Sequence, residues 1–142
     1  DIQRSRGLGD VYKRQVTAQF RDHVGEAGLT LQQWRVIRAL AGGTELDTTT
    51  LASRCVILAP SLTRIIRHLA ERNLVVKVPT RDRRQRVVRL TQDGEALFTS
   101  IWEVSQQKYA AIEDAFGRAE MRDLVVSLNR LRACLEPDEA PG

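Results

Sequence analysis

The sequence predicts a mainly α fold with one small two-stranded β-wing, and three observations carry that prediction. Leu62, Ile65, Ile66 and Leu69 fall at i, i+3, i+4 and i+7, a single apolar stripe on a helix whose other face holds Thr63, Arg64, Arg67 and His68. Two short β-branched runs, Leu74–Val78 (LVVKV) and Arg86–Leu90 (RVVRL), flank a polar stretch and read as a strand and its return. Charge is uneven. Between Arg54 and Arg89 lie ten Lys/Arg and only Glu71 and Asp82 as acids, a net of +8, whereas the remaining twelve basic and sixteen acidic residues net −4.

The elements follow in order. Residues 1–15 show no clean apolar period and are expected to be disordered or foreign to the domain. Val16, Phe20, Val24 and Ala27 recur at helical spacing, and Gly28 ends that helix. Thr30 is suited to cap the next one, with Gln33 completing a capping box; Trp34, Ile37 and Ala41 face inward, and Gly42-Gly43 stops it. A short helix over about Thr49–Cys55 turns Leu51, Ala52 and Cys55 to the core. After Val56-Ile57-Leu58, Pro60 sits in the first turn of a helix to Arg72, where its missing N–H costs nothing. Residues 79–85 form a hairpin tip with Arg81, Arg83 and Arg84. Thr91 caps a long helix carrying Leu97, Ile101, Val104, Tyr109 and Ile112 to about Phe116, with Asp93 placed in its first turn. Beyond Gly117, Met121, Leu124, Leu128, Leu131 and Leu135 alternate three- and four-residue steps, an a/d seam. The tail, 136–142, is expected to be disordered.

A chain of 142 residues suits one domain, here 16–135. No apolar run reaches the ~18 residues of a membrane span, and no secretory signal precedes the domain, so the expected location is the cytoplasm. Cys55 and Cys134 lie far apart with no CxxC pattern, which predicts neither a metal site nor a disulfide scaffold. His23 and His68 fall on different elements, and there is no HExxH, GxSxG or phosphate-loop pattern, so no enzyme, cofactor or metal is expected.

Short helix, tight turn, helix with a cationic outer face and basic hairpin together make a winged helix-turn-helix over 30–91, and its expected partner is double-stranded DNA. Ser61, Thr63, Arg64, Arg67 and His68 line the helix that enters the major groove, where Arg can bond guanine O6 and N7 together. Asp82 among arginines would repel phosphate, so it is expected to bond Arg84 and direct it, beside Arg83. The segments 16–28 and 92–135 are expected to form a homodimer through Val16, Phe20, Leu124, Leu128 and Leu131, since two-fold dimers are the commonest assembly.

The order of these elements, and the stretch Asp82-Arg83-Arg84-Gln85-Arg86-Val87-Val88-Arg89-Leu90-Thr91-Gln92-Asp93-Gly94, resemble the MarR family of bacterial transcriptional regulators over roughly Val16 to Leu135. Two positions depart from the family pattern. Asn73 stands where Gly is usual, and Ala59 stands where a capping Ser is common, a loss worth ~1 kcal/mol locally. Leu29–Arg38 and Cys55–Ile65 further resemble the branch controlling homoprotocatechuate and 4-hydroxyphenylacetate catabolism. The resemblance implies a repressor, with Arg84 directed into the minor groove. It also implies a small aromatic acid as effector, in a crevice between the DNA-binding lobe and the dimer helices, with His23, Trp34, Arg35 and Arg38 as candidate contacts. Two other classes stay open: a repressor sensing oxidants through Cys55 or Cys134, and a winged-helix module that binds protein.

Overall fold

The computed structural model describes residues 14–15, 18–19 and 21–135. Val16 and Phe20 of the expected dimer contact, residues 1–13 and the tail lie outside the described residues. The first helix, α1, is helical at 14–15, 18–19 and 21–26. Gly28 adopts φ +74, and Leu29 N–H reaches back to the Val24 carbonyl at 3.2 Å, so glycine closes α1 through a left-handed cap. In α2 (Leu31–Leu40) the Thr30 hydroxyl accepts from Gln33 N–H at 3.1 Å, and the Gln33 side chain accepts from Thr30 N–H at 2.9 Å. Both halves of the expected capping box are present.

A two-residue strand β1 (Leu46–Asp47) leads into α3 (Thr48–Cys55). Asp47 caps α3, accepting from Thr50 N–H at 2.9 Å and from the Thr50 hydroxyl at 2.7 Å. Those bonds favour its charged form and hold its carboxyl below the usual aspartate range. The cap therefore stabilises α3 above that range and is lost as pH falls through the lowered value. Helix α4 (Ala59–Glu71) buries Leu62, Ile65, Ile66 and Leu69, the stripe read from spacing. Its N-cap is Leu58, with no side-chain bond, so Ala59 is the first helical residue rather than the cap. Asn73 takes φ +57 and closes α4, with Leu74 N–H bonded to the Leu69 carbonyl at 2.9 Å. Asn supplies there what Gly would.

Strands β2 (Val75–Val78) and β3 (Val87–Leu90) pair antiparallel with Val75 opposite Leu90 and Val78 opposite Val87. The sheet has three strands in the order β1-β3-β2, because Leu46 and Asp47 pair with Val88 and Val87. This corrects the two-stranded expectation. A two-residue strand has no period to read, and its partner lies some forty positions away. The third strand covers one edge of a hairpin that would be marginal alone.

Helix α5 (Gln92–Phe116) starts where Thr91 predicts: its hydroxyl accepts from Gly94 N–H at 3.0 Å and donates to the Asn73 carbonyl at 2.6 Å. Gly94 is buried, and a Cβ there would run into the Leu74 carbonyl oxygen. That obstacle is backbone and cannot swing aside. Gly94→Ala is therefore expected to lower the urea midpoint by the equivalent of ~1–3 kcal/mol, the cost of overpacking. An unchanged midpoint would show that the Leu74 carbonyl does not close off the space beside Gly94.

Helix α6 (Arg118–Leu135) follows Gly117, at φ +114. The described residues divide into two compact units, the first ending at Ser105 and the second beginning at Gln106. The first contains the core, in which Val24 and Ile101 join residues of α2, α3, α4 and the sheet. In the second, no described residue of α6 is buried, and Leu124, Leu128, Leu131 and Leu135 are 44%, 54%, 56% and 74% exposed. Among the described residues no helix is long and apolar enough to cross a membrane.

Candidate functional site

Helix α4 is anchored by its apolar stripe, and the anchoring decides what it offers to solvent. Thr63, Arg64, Arg67 and His68 are exposed and Ser61 is half-buried. The Thr63 hydroxyl donates to the Ala59 carbonyl at 3.0 Å, which ties its side chain to the first turn of the helix. His68 stands 3.8 Å from Glu71, both more than half exposed, a contact of little energetic weight.

Not every cation of the basic segment is available to a ligand. Arg72 donates to the Gly28 and Ala27 carbonyls at 2.8 and 3.1 Å, tying the end of α4 to the end of α1. Arg89 donates to the Leu90 carbonyl at 3.1 Å. Arg54, Arg64, Arg67, Lys77, Arg81, Arg83, Arg84 and Arg86 remain exposed. Between α4 and the sheet an open groove of about 520 Å³ has Ile66, Val75 and Val88 along its lining and Arg67, Lys77 and Arg86 among its polar groups.

The wing tip is ordered by its one acid, but differently from expectation. Asp82 accepts from the backbone N–H of Arg84 at 2.9 Å rather than from its guanidinium. Thr80 donates to the Asp82 carbonyl at 2.7 Å, and Gln85 N–H donates to the same oxygen at 3.1 Å. An Asx turn of this kind needs only a short acidic side chain two residues ahead of the amide. It sets the backbone and leaves Arg81, Arg83 and Arg84 exposed.

The candidate effector residues separate into two groups. Trp34 is buried and stacks on Phe98, with ring centroids 5.5 Å apart and planes at 19°; Phe98 stacks in turn on Trp102 at 5.7 Å and 23°. Trp102, at the outer end of this ladder, is 38% exposed. On α5, one turn further along, buried Ser105 shares a 2.8 Å hydrogen bond with Nε2 of buried His23. Arg38 is exposed, one turn beyond Trp34. Arg35 is occupied elsewhere, donating to the Cys55 carbonyl at 3.1 Å. Phe98, Trp102 and Ser105 were not singled out from the sequence; the aromatic pair at i, i+4 on the face that includes Ile101 was the available signal.

Cys55 is buried, and burial pushes its thiol pKa up, against a smaller lowering by Arg35. Among the described residues no cluster of three or more His, Cys, Asp or Glu is placed to hold a metal.

The sequence profile of the MarR family matches residues 27–86. The chain is 40% identical over 121 residues to the HTH-type transcriptional regulator FarR of Neisseria gonorrhoeae, covering 82% of this chain and 83% of that one. It is 37% identical over 106 residues to the homoprotocatechuate degradative operon repressor of Escherichia coli, covering 74% and 72%. Among solved structures, NadR in complex with 4-hydroxyphenylacetate superposes with a TM-score of 0.72 at 40% identity, covering 87% of this chain and 89% of that one. The transcriptional regulator PA4135 superposes at 0.78 with 32% identity, covering 92% and 97%.

Proposed function

This chain belongs to the MarR family of transcriptional regulators, which bind double-stranded DNA as dimers, and from that premise we propose a repressor released from its operator by a small aromatic acid. The observation carrying the DNA half is α4. Its apolar stripe is core while Thr63, Arg64, Arg67 and His68 face outward, beside a wing whose arginines are held on an ordered tip. In this reading Ser61, Thr63, Arg64 and Arg67 meet base edges and phosphates in the major groove, and His68 neighbours the backbone. Arg84 enters the minor groove with Arg83 on its rim, and Asp82 sets the turn that aims them. The winged lobe is 30–91; the dimer is held by 16–28 and 92–135, with Leu124, Leu128 and Leu131 in the seam. The protein works on the chromosome in the cytoplasm by binding and carries out no reaction.

The effector half rests on the aromatic ladder together with the relatives. NadR is seen with 4-hydroxyphenylacetate, and the Escherichia coli relative is named for homoprotocatechuate; both are hydroxylated phenylacetates. Such a ligand needs an aromatic wall, a donor for its hydroxyl and a cation for its carboxylate. Trp34, Phe98 and Trp102 supply the wall, His23 with Ser105 the polar pair, and Arg38 the cation. Arg35 drops out, being committed to α3. Oxidant sensing through Cys55 is disfavoured, because reactive thiols are accessible and have lowered rather than raised pKa values.

Both tryptophans of the chain lie in the ladder. Titration with 4-hydroxyphenylacetate is therefore expected to quench intrinsic fluorescence and to weaken operator binding. By linkage it must bind the DNA-free dimer tighter than the complex by the same factor. Arg38→Ala should weaken that binding about tenfold or more, the loss of a charge-assisted pair. No quenching and no heat at millimolar ligand, or Arg38→Ala binding as well as the parent, would remove the aromatic-acid assignment and leave DNA binding untouched.

A further inference from the structure

The three-residue turn between α3 and α4 carries two side chains that its own backbone disfavours. Val56 has φ +54 and ψ +49, a left-handed conformation in which a β-branched residue is an outlier and Gly or Asn is at home. Leu58 is the N-cap of α4 and makes no side-chain bond there, where Ser, Thr, Asp or Asn would pair an open N–H. Burial does not compensate. Val56 is 86% exposed and Leu58 79%, while Ile57 between them is 7% exposed and belongs to the core. The inward role of Ile57 explains why its neighbours point out, but not why they are apolar.

Their position identifies what they meet. They stand at the leading end of the recognition helix, continuous with exposed Ala59 and Pro60, with Arg54 behind them and Arg64 further along the helix, both exposed. Cations on both sides deliver this small apolar tip to a polyanion rather than to an apolar protein groove. In the major groove the feature that rewards an apolar side chain is the C5-methyl of thymine. We propose that Leu58, with Val56 beside it, reads thymine methyl groups at the part of each half-site met by the start of α4. The proposal rests on α4 being the recognition helix. Ser61 and Arg64 then read donors and acceptors, and Leu58 adds an apolar element that separates thymine from cytosine and from uracil.

The test removes the methyl group and nothing else. The full chain first selects a duplex from random-sequence DNA. In that duplex each thymine is then replaced singly by deoxyuridine, which keeps the base pair. The parent protein is expected to lose about fourfold in affinity at one or two thymines per half-site, the worth of one buried methyl-sized group, and nothing elsewhere. Leu58→Ser restores a capping hydroxyl, so it should melt no lower than the parent while binding the thymine and deoxyuridine duplexes equally. Leu58→Ala, which adds no cap, should show the same indifference. A parent that does not distinguish the duplexes overturns the proposal and assigns the tip to some other partner. A Leu58→Ser variant that keeps the parent's discrimination overturns it for Leu58. Failure to select any sequence would instead overturn the recognition-helix reading itself, and the proposal with it.

Discussion

Leu128→Glu combined with Leu131→Glu is expected to convert the dimer to single chains. These leucines belong to a three-four alternation along α6, and each is more than half exposed in the isolated chain. A water-facing run of that length is unusual for a monomer and fits a seam closed by a second copy. Four leucines per dimer forfeit about 1 kcal/mol each of partial burial, so the dissociation constant rises by at least about three decades. Four carboxylates facing one another add a desolvation and repulsion cost on top. The core of residues 1–105 does not include these positions. Helical circular dichroism and a cooperative melt should therefore survive. Size exclusion with light scattering reads the outcome directly. A variant that keeps the mass of two chains would exclude α6 as the seam, and a parent that runs as one chain would remove the two-fold operator as well.

Arg84→Ala should cost operator affinity heavily, and the salt dependence should identify what kind of contact was lost. Two wings engage one operator, so even ~1 kcal/mol per contact amounts to about thirtyfold per dimer. The operator itself is expected to be an inverted repeat with half-site centres ~10 bp apart, bound less tightly as salt rises because phosphates are neutralised. Arg64→Ala should behave differently, weakening binding by ~1–3 kcal/mol per site while relaxing preference at one base pair per half-site. Asp82→Ala removes the acceptor of the 2.9 Å turn bond but no cation. It should cost less than Arg84→Ala and leave the salt slope as it was. Fluorescence anisotropy of a labelled duplex at several salt concentrations separates the three. Unchanged affinity and slope in Arg84→Ala would falsify the wing assignment.

Features set by a few consecutive residues were legible in the sequence. The spacing of Leu62, Ile65, Ile66 and Leu69 oriented α4 and, with it, the outward face of Arg64 and Arg67. Thr30 with Gln33, Gly28, Gly42-Gly43 and Asn73 marked helix ends, because capping and positive φ are decided by local sterics and hydrogen bonding. The alternation of leucines in α6 gave away an apolar face without needing any other element. What tertiary structure alone decided involves partners far apart in the chain. Arg72 is one of ten cations in the basic segment, yet it spends its guanidinium on carbonyls more than forty residues earlier. Sequence specifies a charge but not which acceptor a long, flexible side chain will find. Gly94 matched a familiar pattern, but its reason, the Leu74 carbonyl lying against it, exists only once the turn after α4 is packed on the start of α5. The ladder from Trp34 through Phe98 to Trp102 and the His23–Ser105 bond likewise required α1, α2 and α5 to meet. Periodicity tells which face of a helix turns inward; which side chain it meets there depends on the packing of helices whose separation along the chain leaves no mark in either segment.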